Sequence, residues 1–503
     1  MFRFLCLLLS LPSGLFLGSF QLEQISDQFP LEGLEEKLEF WKAIFTHYGE
    51  GEVVFHDQND LQLIYDVAQV GKSVPNDNVA SERQKRELET RERELQTIMD
   101  DIRKWGSTSN RLTEEHKRII RILKSHGYTP TSAELERLIR NIHSQRGIKE
   151  KFRESLIRSG KYLDSIEKIL EQHNVPKELA LLPHVESSFD HGAYSKRGAA
   201  GIWQFIRSTG RQYMTINSYV DERLDPLKAT EAAARLLQQN YKTLGSWPLA
   251  ITAFNHGRNG MARAKRLYGN DLEMIINHYT SPTFGYASKN FYIEFLAAVD
   301  VARNYNDYFG HLNIAEPIQF DSLVLDRSHH LIHITSIPDL SEEIIQEYNP
   351  QIRQPIWQKS KILPRGLTLR LPKGMRETVQ MALDSATTLS TQTFVTANGS
   401  VAYRVQYGDT LSYIAKNLGT SIRLLQQDNN ISNANRIYPD QLLYVTGTTD
   451  NPSRPDQYQV RRGDTLERIA TRFGISIWQL QQANHIKNPH RILRGQVLLI
   501  PDS

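Results

Sequence analysis

The strongest constraint on this chain is a duplication near its end. Tyr403, Gly408, Asp409, Thr410, Leu411, Ile414, Ala415, Gly419, Leu425, Asn429, Ile437, Gln441 and Leu443 recur 55 positions later, without a gap, as Tyr458, Gly463, Asp464, Thr465, Leu466, Ile469, Ala470, Gly474, Leu480, Asn484, Ile492, Gln496 and Leu498. Chance agreement at so many positions is negligible, so the stretch is an internal repeat and each copy folds as its own small unit. Each reads as a strand, a G-D-T turn whose Thr caps a helix, a second helix ending near Asn, and a final strand. The copies occupy 401–446 and 458–502, with a polar linker at 447–457. Residues 385–400 are rich in Ser and Thr and read as a flexible linker, which tethers the copies within a few nanometres of what precedes them. Residues 315–372 carry a fainter echo in Asp339-Leu340, Glu343-Ile344, Asn349 and the run from Leu363 to Leu369; they are expected to be a divergent copy or a connecting segment.

A second constraint is the run Pro183–Phe205, PHVESSFDHGAYSKRGAAGIWQF. Asn174, Pro176 and a regular apolar pattern announce a helix just upstream. Leu179, Leu182 and Glu186 share one face of it, because steps of three, four and seven residues return to the same side of a helix. A carboxyl group held against apolar neighbours has its charged form disfavoured, so it can keep a proton to donate near neutral pH. Gly198-Ala199-Ala200-Gly201 then permits close backbone approach before Trp203 and Gln204 supply a ring and an amide. Asp190, Asp221 and Asp225 are further acids, but no spacing nominates one as a nucleophile, and they read as structural.

This run resembles the first two motifs of the lysozyme-like lytic transglycosylases, E-S followed by S-x-x-G-A-x-G and a Gln, with Trp203 where many relatives carry Met. The wider run from Gln145-Arg146-Gly147 through Pro176–Leu182 to Gly210 is similar to the membrane-bound murein enzymes of that family. The resemblance implies a lyase that cleaves the MurNAc-GlcNAc β-1,4 bond of peptidoglycan without water. In it Glu186 acts first as acid and then as base, and the product has 1,6-anhydro-MurNAc ends. It also implies substrate contacts from Ser195, Gly198, Gly201 and Gln204. The family's A-Y-N-x-G motif is Ala253-Phe254-Asn255-His256-Gly257 here, which puts Phe254 and Asn255 in the cleft with a phenyl ring in place of a phenol. The family's fourth-motif Tyr aligns with Phe291, and the adjacent Tyr292 is the candidate substitute.

Both repeat copies resemble LysM modules through Y-x-V-x-x-G-D-T-L-x-x-I-A. That implies a shallow groove for N-acetylated glycans beside the turn, formed by Gly408, Asp409, Thr410, Leu411 and Asn429, and by Gly463, Asp464, Thr465, Leu466 and Asn484. The expected fold is therefore multidomain: a mainly α lysozyme-like catalytic domain at 148–308, a helical N-terminal extension at 21–147, and two small α+β (βααβ) LysM modules. Two rivals remain open, a hydrolase of the goose-type lysozyme kind and a catalytically inactive peptidoglycan-binding protein.

In the extension, Leu88, Leu95, Ile98 and Ile102 fall on one face of a charge-rich helix able to pair with another. Thr131 and Glu134 form a capping box before Leu135, Leu138, Ile139 and Ile142. Cell-envelope proteins are the partners such helices would meet. The first twenty residues, with Arg3 before an apolar run, read as an export signal or N-terminal anchor, which places the chain in the periplasm or cell envelope. Cys6, the sole cysteine, lies inside it, so no disulfide is expected. A net charge of +3 in 503 residues argues against a nucleic-acid partner. His329, His330 and His333 cluster without the further ligands a metal site requires, so no metal and no cofactor is expected.

Overall fold

The computed structural model describes residues 28–71, 78–385, 393–395 and, with interruptions, 401–500. The expected leader, most of both linkers, Gly408 and Gly463 lie outside the described residues. The chain divides into two units, residues 1–320 with 346–355, and residues 321–345 with 356–503.

In chain order the first unit runs α1 (Glu35–Thr46), β1 (Glu52–Asp57), β2 (Ile64–Gln69), α2 (Asn78–Trp105), α3 (Glu114–Ser125), α4 (Ser132–Asn141), β3 (Ile142–Arg146), α5 (Lys149–Ser159) and α6 (Leu163–Gln172). A 3-10 turn (Lys177–Leu181) leads to α7 (Pro183–Ser187), α8 (Arg207–Gly210), α9 (Pro226–Leu244), α10 (Trp247–His256), α11 (Arg258–Tyr268), α12 (Leu272–His278), α13 (Tyr286–Arg303) and α14 (Tyr305–Phe309). The extension is not helical throughout. Its three strands form an antiparallel sheet in the order β2-β1-β3, with Val53 opposite Arg146. Val53 and Phe55 enter one core and Val54 another, so β1 is buried on both faces and lacks the polar alternation that marks a half-exposed strand.

The amphipathic helix is α2: Leu95, Met99 and Ile102 are fully buried against α3 and α4, while Leu88 and Ile98 are partly buried beside them. The Thr131 side chain caps α4 by accepting from the Glu134 backbone N–H at 3.3 Å.

The lysozyme-like part is built around α13, which is buried on nearly every side and packs against α1, α7 and α10. A helix apolar all round belongs at the centre of a core. Its neighbour α9 starts on the Asp225 carboxylate, which accepts from the Leu227 and Lys228 N–H groups, and stops at Gly245 in the left-handed region (φ 65°). Near the other end of α13, Asp300 meets Lys42 of α1 at 3.1 Å and accepts from the Tyr308 hydroxyl at 2.8 Å.

In the second unit both repeat copies adopt the expected build. The first comprises β4 (Val401–Arg404), α15 (Leu411–Asn417), α16 (Ile422–Asp428) and β5 (Leu442–Val445), with Tyr403 opposite Leu443. The second comprises β6 (Gln457–Gln459), α17 (Leu466–Phe473), α18 (Ile477–Ala483) and β7 (Val497–Leu499), with Tyr458 opposite Leu498. Backbone bonds at matching positions appear in the earlier segment. Leu325 N donates to Leu367 O as Val405 N does to Gln441 O and Val460 N to Gln496 O. Ile344 N donates to Ser341 Oγ as Leu424 N does to Ser421 Oγ, 80 positions on.

Candidate active site

Glu186 sits in the last turn of α7, a helix of five residues that opens on Pro183. The chain leaves it through Ser188 and Phe189, both with positive φ (55° and 56°), a sharp turn that Phe189 N secures on Pro183 O at 3.1 Å. Phe189 is buried, and the Arg158 guanidinium on α5 donates to Ser188 O at 2.7 Å. His184, also on α7, stacks on Phe152 and meets Ser155 Oγ through Nδ1; burial lowers its pKa to about 3, so the ring is neutral. These contacts fix α7 from behind and leave Glu186 on the remaining side, partly buried.

Burial is the larger cause that pushes the Glu186 carboxyl up to about 8, and the Glu294 carboxyl adds to it. Glu294 projects from α13 and is itself pushed up to about 8 by burial. Among the described residues neither carboxyl has a hydrogen-bond partner. Sequence reading passed over Glu294 because it matches no motif position; the available signal was a lone acid inside the apolar run Phe291–Ala298.

The stretch after Glu186 forms a small hairpin. Tyr194 bridges to Ala200 and Ala200 to Phe205. Ser195 closes its tip, accepting the Ala199 N–H on Oγ at 3.0 Å while Gly198 N donates to Ser195 O. Ser187 Oγ donates to Ile202 O at 3.0 Å and so joins the acid's helix to the hairpin. Gln204, at φ 46°, donates to Gly201 O at 2.9 Å and to Ala193 O at 3.4 Å.

Behind the hairpin stands an ion pair that sequence reading missed. Arg223 donates to both Asp221 carboxylate oxygens (2.9 and 2.8 Å), and also to Gly198 O (2.8 Å) and Phe205 O (2.9 Å). Both side chains are almost wholly buried, which makes Asp221 structural, as expected. Gly201 is needed here for a different reason than cleft shape: at φ +77°, a Cβ would lie 1.7 Å from Arg223 O. Trp203 is likewise core, fully buried, with Nε1 donating to Thr230 Oγ1 at 2.8 Å. Phe254 packs 6.1 Å from Trp203 and 5.9 Å from Phe205, half-buried, and Asn255 is exposed with its Oδ1 accepting from Ser288 Oγ at 2.7 Å.

The assignment of Tyr292 to substrate is corrected. Its ring is 1% exposed and its hydroxyl donates to Pro30 O at 2.8 Å, beside a cavity of about 530 Å³ lined by Trp247, Tyr241 and Asp271 and by no residue of the Glu186 motif. One residue along a helix rotates a side chain by about 100°, so Phe291 and Tyr292 cannot address the same surface.

The repeat residues also take internal roles. Leu411 and Leu466 are 1% exposed core residues, so their assignment as glycan contacts is corrected. Tyr403 OH donates to Asp409 Oδ2 and Tyr458 OH to Asp464 Oδ2, each at 2.7 Å. Thr410 and Thr465 accept from the N–H groups of Tyr413 and Arg468 as helix caps. Asn429 donates to Leu425 O and Tyr444 O and accepts from Tyr444 N; Asn484 repeats this with Leu480 and Leu499. A side-chain amide of this kind pins the last strand to the second helix.

Residues 164–276 match the Transglycosylase SLT domain, and residues 403–446 and 458–501 match the LysM domain. The chain thus combines a transglycosylase SLT domain, of the lytic transglycosylase kind, with two LysM domains. Among particular relatives, the Membrane-bound lytic murein transglycosylase D of Escherichia coli is 29% identical over 345 residues, covering 65% of this chain and 74% of the relative. The N-acetylmuramoyl-L-alanine amidase sle1 of Staphylococcus saprophyticus is 31% identical over 131 residues, covering 25% of this chain and 39% of that one. Among solved structures, the 70 kDa soluble lytic transglycosylase of Escherichia coli aligns with 29% of this chain and 24% of its own, at 17% identity and a TM-score of 0.24, a likeness too slight to bear on the site.

Proposed function

We propose that this chain cleaves the MurNAc-GlcNAc β-1,4 bond of peptidoglycan in the cell envelope, with Glu186 as its single acid and base. The observation that carries the reading is the Glu186 carboxyl itself: partly buried, without a hydrogen-bond partner among the described residues, pushed up to about 8, and therefore holding a proton at neutral pH. That proton passes to the glycosidic oxygen as the C1–O bond breaks. The resulting carboxylate then takes the C6 hydroxyl proton as O6 bonds to C1, which leaves a 1,6-anhydro end and restores the acid. The attacking hydroxyl belongs to the same sugar, so proximity favours it over water. Phe254, Asn255 and the hairpin residues Ser195, Gly198 and Gln204 are the candidates to hold the glycan.

The LysM modules keep the enzyme on the wall. The Asp, Thr and Asn of each repeat shape the module, so contacts to sugar fall to exposed residues near the turn and near the loop before the last strand, Tyr413 and Tyr438 in the first module and Leu493 in the second. The matching backbone bonds support the reading of residues 315–372 as a divergent copy of the repeat rather than a connecting segment.

Digesting purified peptidoglycan and weighing the muropeptides tests the reaction, since anhydro products are lighter by one water. Glu294 favours a second reading, in which a pair of carboxyls activates water as in a hydrolase; products heavier by one water would establish it.

A further inference from the structure

Residues 346–355 belong to the first unit, although the chain on either side of them, 321–345 and 356–503, forms the second. In sequence they are part of the divergent copy: Asn349 stands 80 positions before Asn429, as Ser341 stands 80 before Ser421. In the two full modules that Asn pins the last strand. Here the chain just past it runs antiparallel to the loop behind the hairpin of the site. Val220 bridges to Ile352, Asp221 N donates to Gln351 O at 2.8 Å, and Arg353 N donates to Tyr219 O at 2.9 Å. The Arg353 guanidinium adds a bond to Asn217 O at 3.1 Å. We propose that residues 349–353 are a strap that holds the hairpin in shape for the glycan, with Arg353 as its positioning residue. This rests on the reading that Ser195, Gly198 and Gln204 of the hairpin hold the glycan.

The loop at 215–222 turns back on itself. Asn217 Oδ1 accepts from the N–H groups of Tyr219 and Val220 at 2.8 Å each, Asn217 N donates to Val220 O, and Glu222 N donates to Thr215 O. Backbone groups along an antiparallel strand serve its two sides in turn, so Val220 O and Glu222 N are used within the loop while Tyr219 O and Asp221 N face away from it. Those two would form a bare edge without the strap, yet Asp221 is 0% exposed, and a buried donor needs a partner. Gln351 O supplies it. The strap is itself anchored: Asn349, Gln351 and Ile352 are buried, Ile352 N donates to Asn349 O at 3.0 Å, and Pro350 and Pro355 restrict the backbone around it. From Asp221 the hold passes through its carboxylate to Arg223, and from Arg223 to Gly198 O and Phe205 O on the two arms of the hairpin. The helix that carries the acid is held from elsewhere, by Arg158 and His184. The strap therefore bears on how the glycan is held and leaves proton transfer alone.

The test compares the full chain with R353P, which lacks both the backbone N–H and the guanidinium, and with R353A, which lacks the guanidinium only. In R353P, amide exchange of peptides covering 193–205 and 215–223 quickens by about fivefold or more, while peptides of α13 keep their protection. KM for solubilised glycan strands rises by about the same factor, with kcat changed by less than about twofold. R353A falls between the parent and R353P. A second perturbation works in the opposite direction. Val220 and Ile352 form the pair without mutual hydrogen bonds, whose side chains stand closest, so V220C/I352C, made together with C6S, closes a disulfide across the strap. Its oxidised form exchanges more slowly over 193–205 than its own reduced form. Hairpin exchange indifferent both to residue 353 and to the disulfide overturns the strap. Exchange that quickens equally in α13 also overturns it, by making 349–353 a staple for the whole unit. A fall in kcat at constant KM, or a constant KM beside faster exchange, overturns its role in holding glycan. If the parent releases no muropeptides while hairpin exchange follows residue 353, the strap stands and the reaction assigned to the site fails.

Discussion

Replacing Arg223 by Met removes the cation on which the hairpin of the site is built. The guanidinium satisfies both oxygens of a fully buried Asp221 and two carbonyls on opposite arms of the turn, Gly198 O and Phe205 O. Breaking a buried pair by deleting one partner strands the other charge, a loss of about 3–5 kcal/mol. At about 1.4 kcal/mol per factor of ten, the hairpin then opens about 100- to 4,000-fold more often, if the loss is local. Amide hydrogen exchange of peptides covering residues 193–205, read by mass spectrometry in the parent and in R223M, measures that opening without assuming that a multidomain chain unfolds in one step. The double variant D221N/R223M removes the stranded charge as well, so its exchange is slower than that of R223M alone. Equal protection in parent and R223M, or a double variant that opens as much as the two single changes combined, refutes the view that this ion pair organises the hairpin.

Glu186→Gln removes glycan cleavage, by 100-fold or more, yet leaves sedimentation with peptidoglycan intact; equal turnover would dismiss the acid. Because activity needs the protonated carboxyl, cleavage falls as pH rises through about 8. The same raised value makes the folded state bind a proton that the unfolded state has released, so the parent loses stability between its unfolded value near 4.5 and about 8. The melting temperature of E186Q therefore gains on the parent's as pH rises across that window, and a gap that stays constant counts against the burial. Tyr292→Phe loses the bond to Pro30 O, a cost of about 0.5–1.5 kcal/mol by thermal melting, and leaves cleavage unaltered; a large fall in kcat would return Tyr292 to the cleft. Asn429→Ala with Asn484→Ala unpins the last strand of each module, so wall sedimentation drops while cleavage of short soluble glycans continues.

The repeat was legible in the chain because it leaves a local mark, whereas no local mark shows that the extension and the lysozyme-like part share one core. A 55-residue period survives whatever the modules touch. The single helix expected to carry Leu179, Leu182 and Glu186 on one face is instead a 3-10 turn (Lys177–Leu181) followed by the separate α7, so the setting of Glu186 comes from tertiary packing and not from one helical face. The sheet of the extension was not legible, since β1 is buried on both faces and its partner β3 lies beyond three helices in sequence. Phe291 and Tyr292 differ by one residue and by opposite surroundings, which only the packing of α13 assigns. The same holds for Arg223 beneath the hairpin and for the buried acid Glu294 on α13. A proton donor's identity follows from the residue and its neighbours along the helix, whereas its charge state depends on what other helices bring against it, and that is a property of the assembled core rather than of any stretch of sequence.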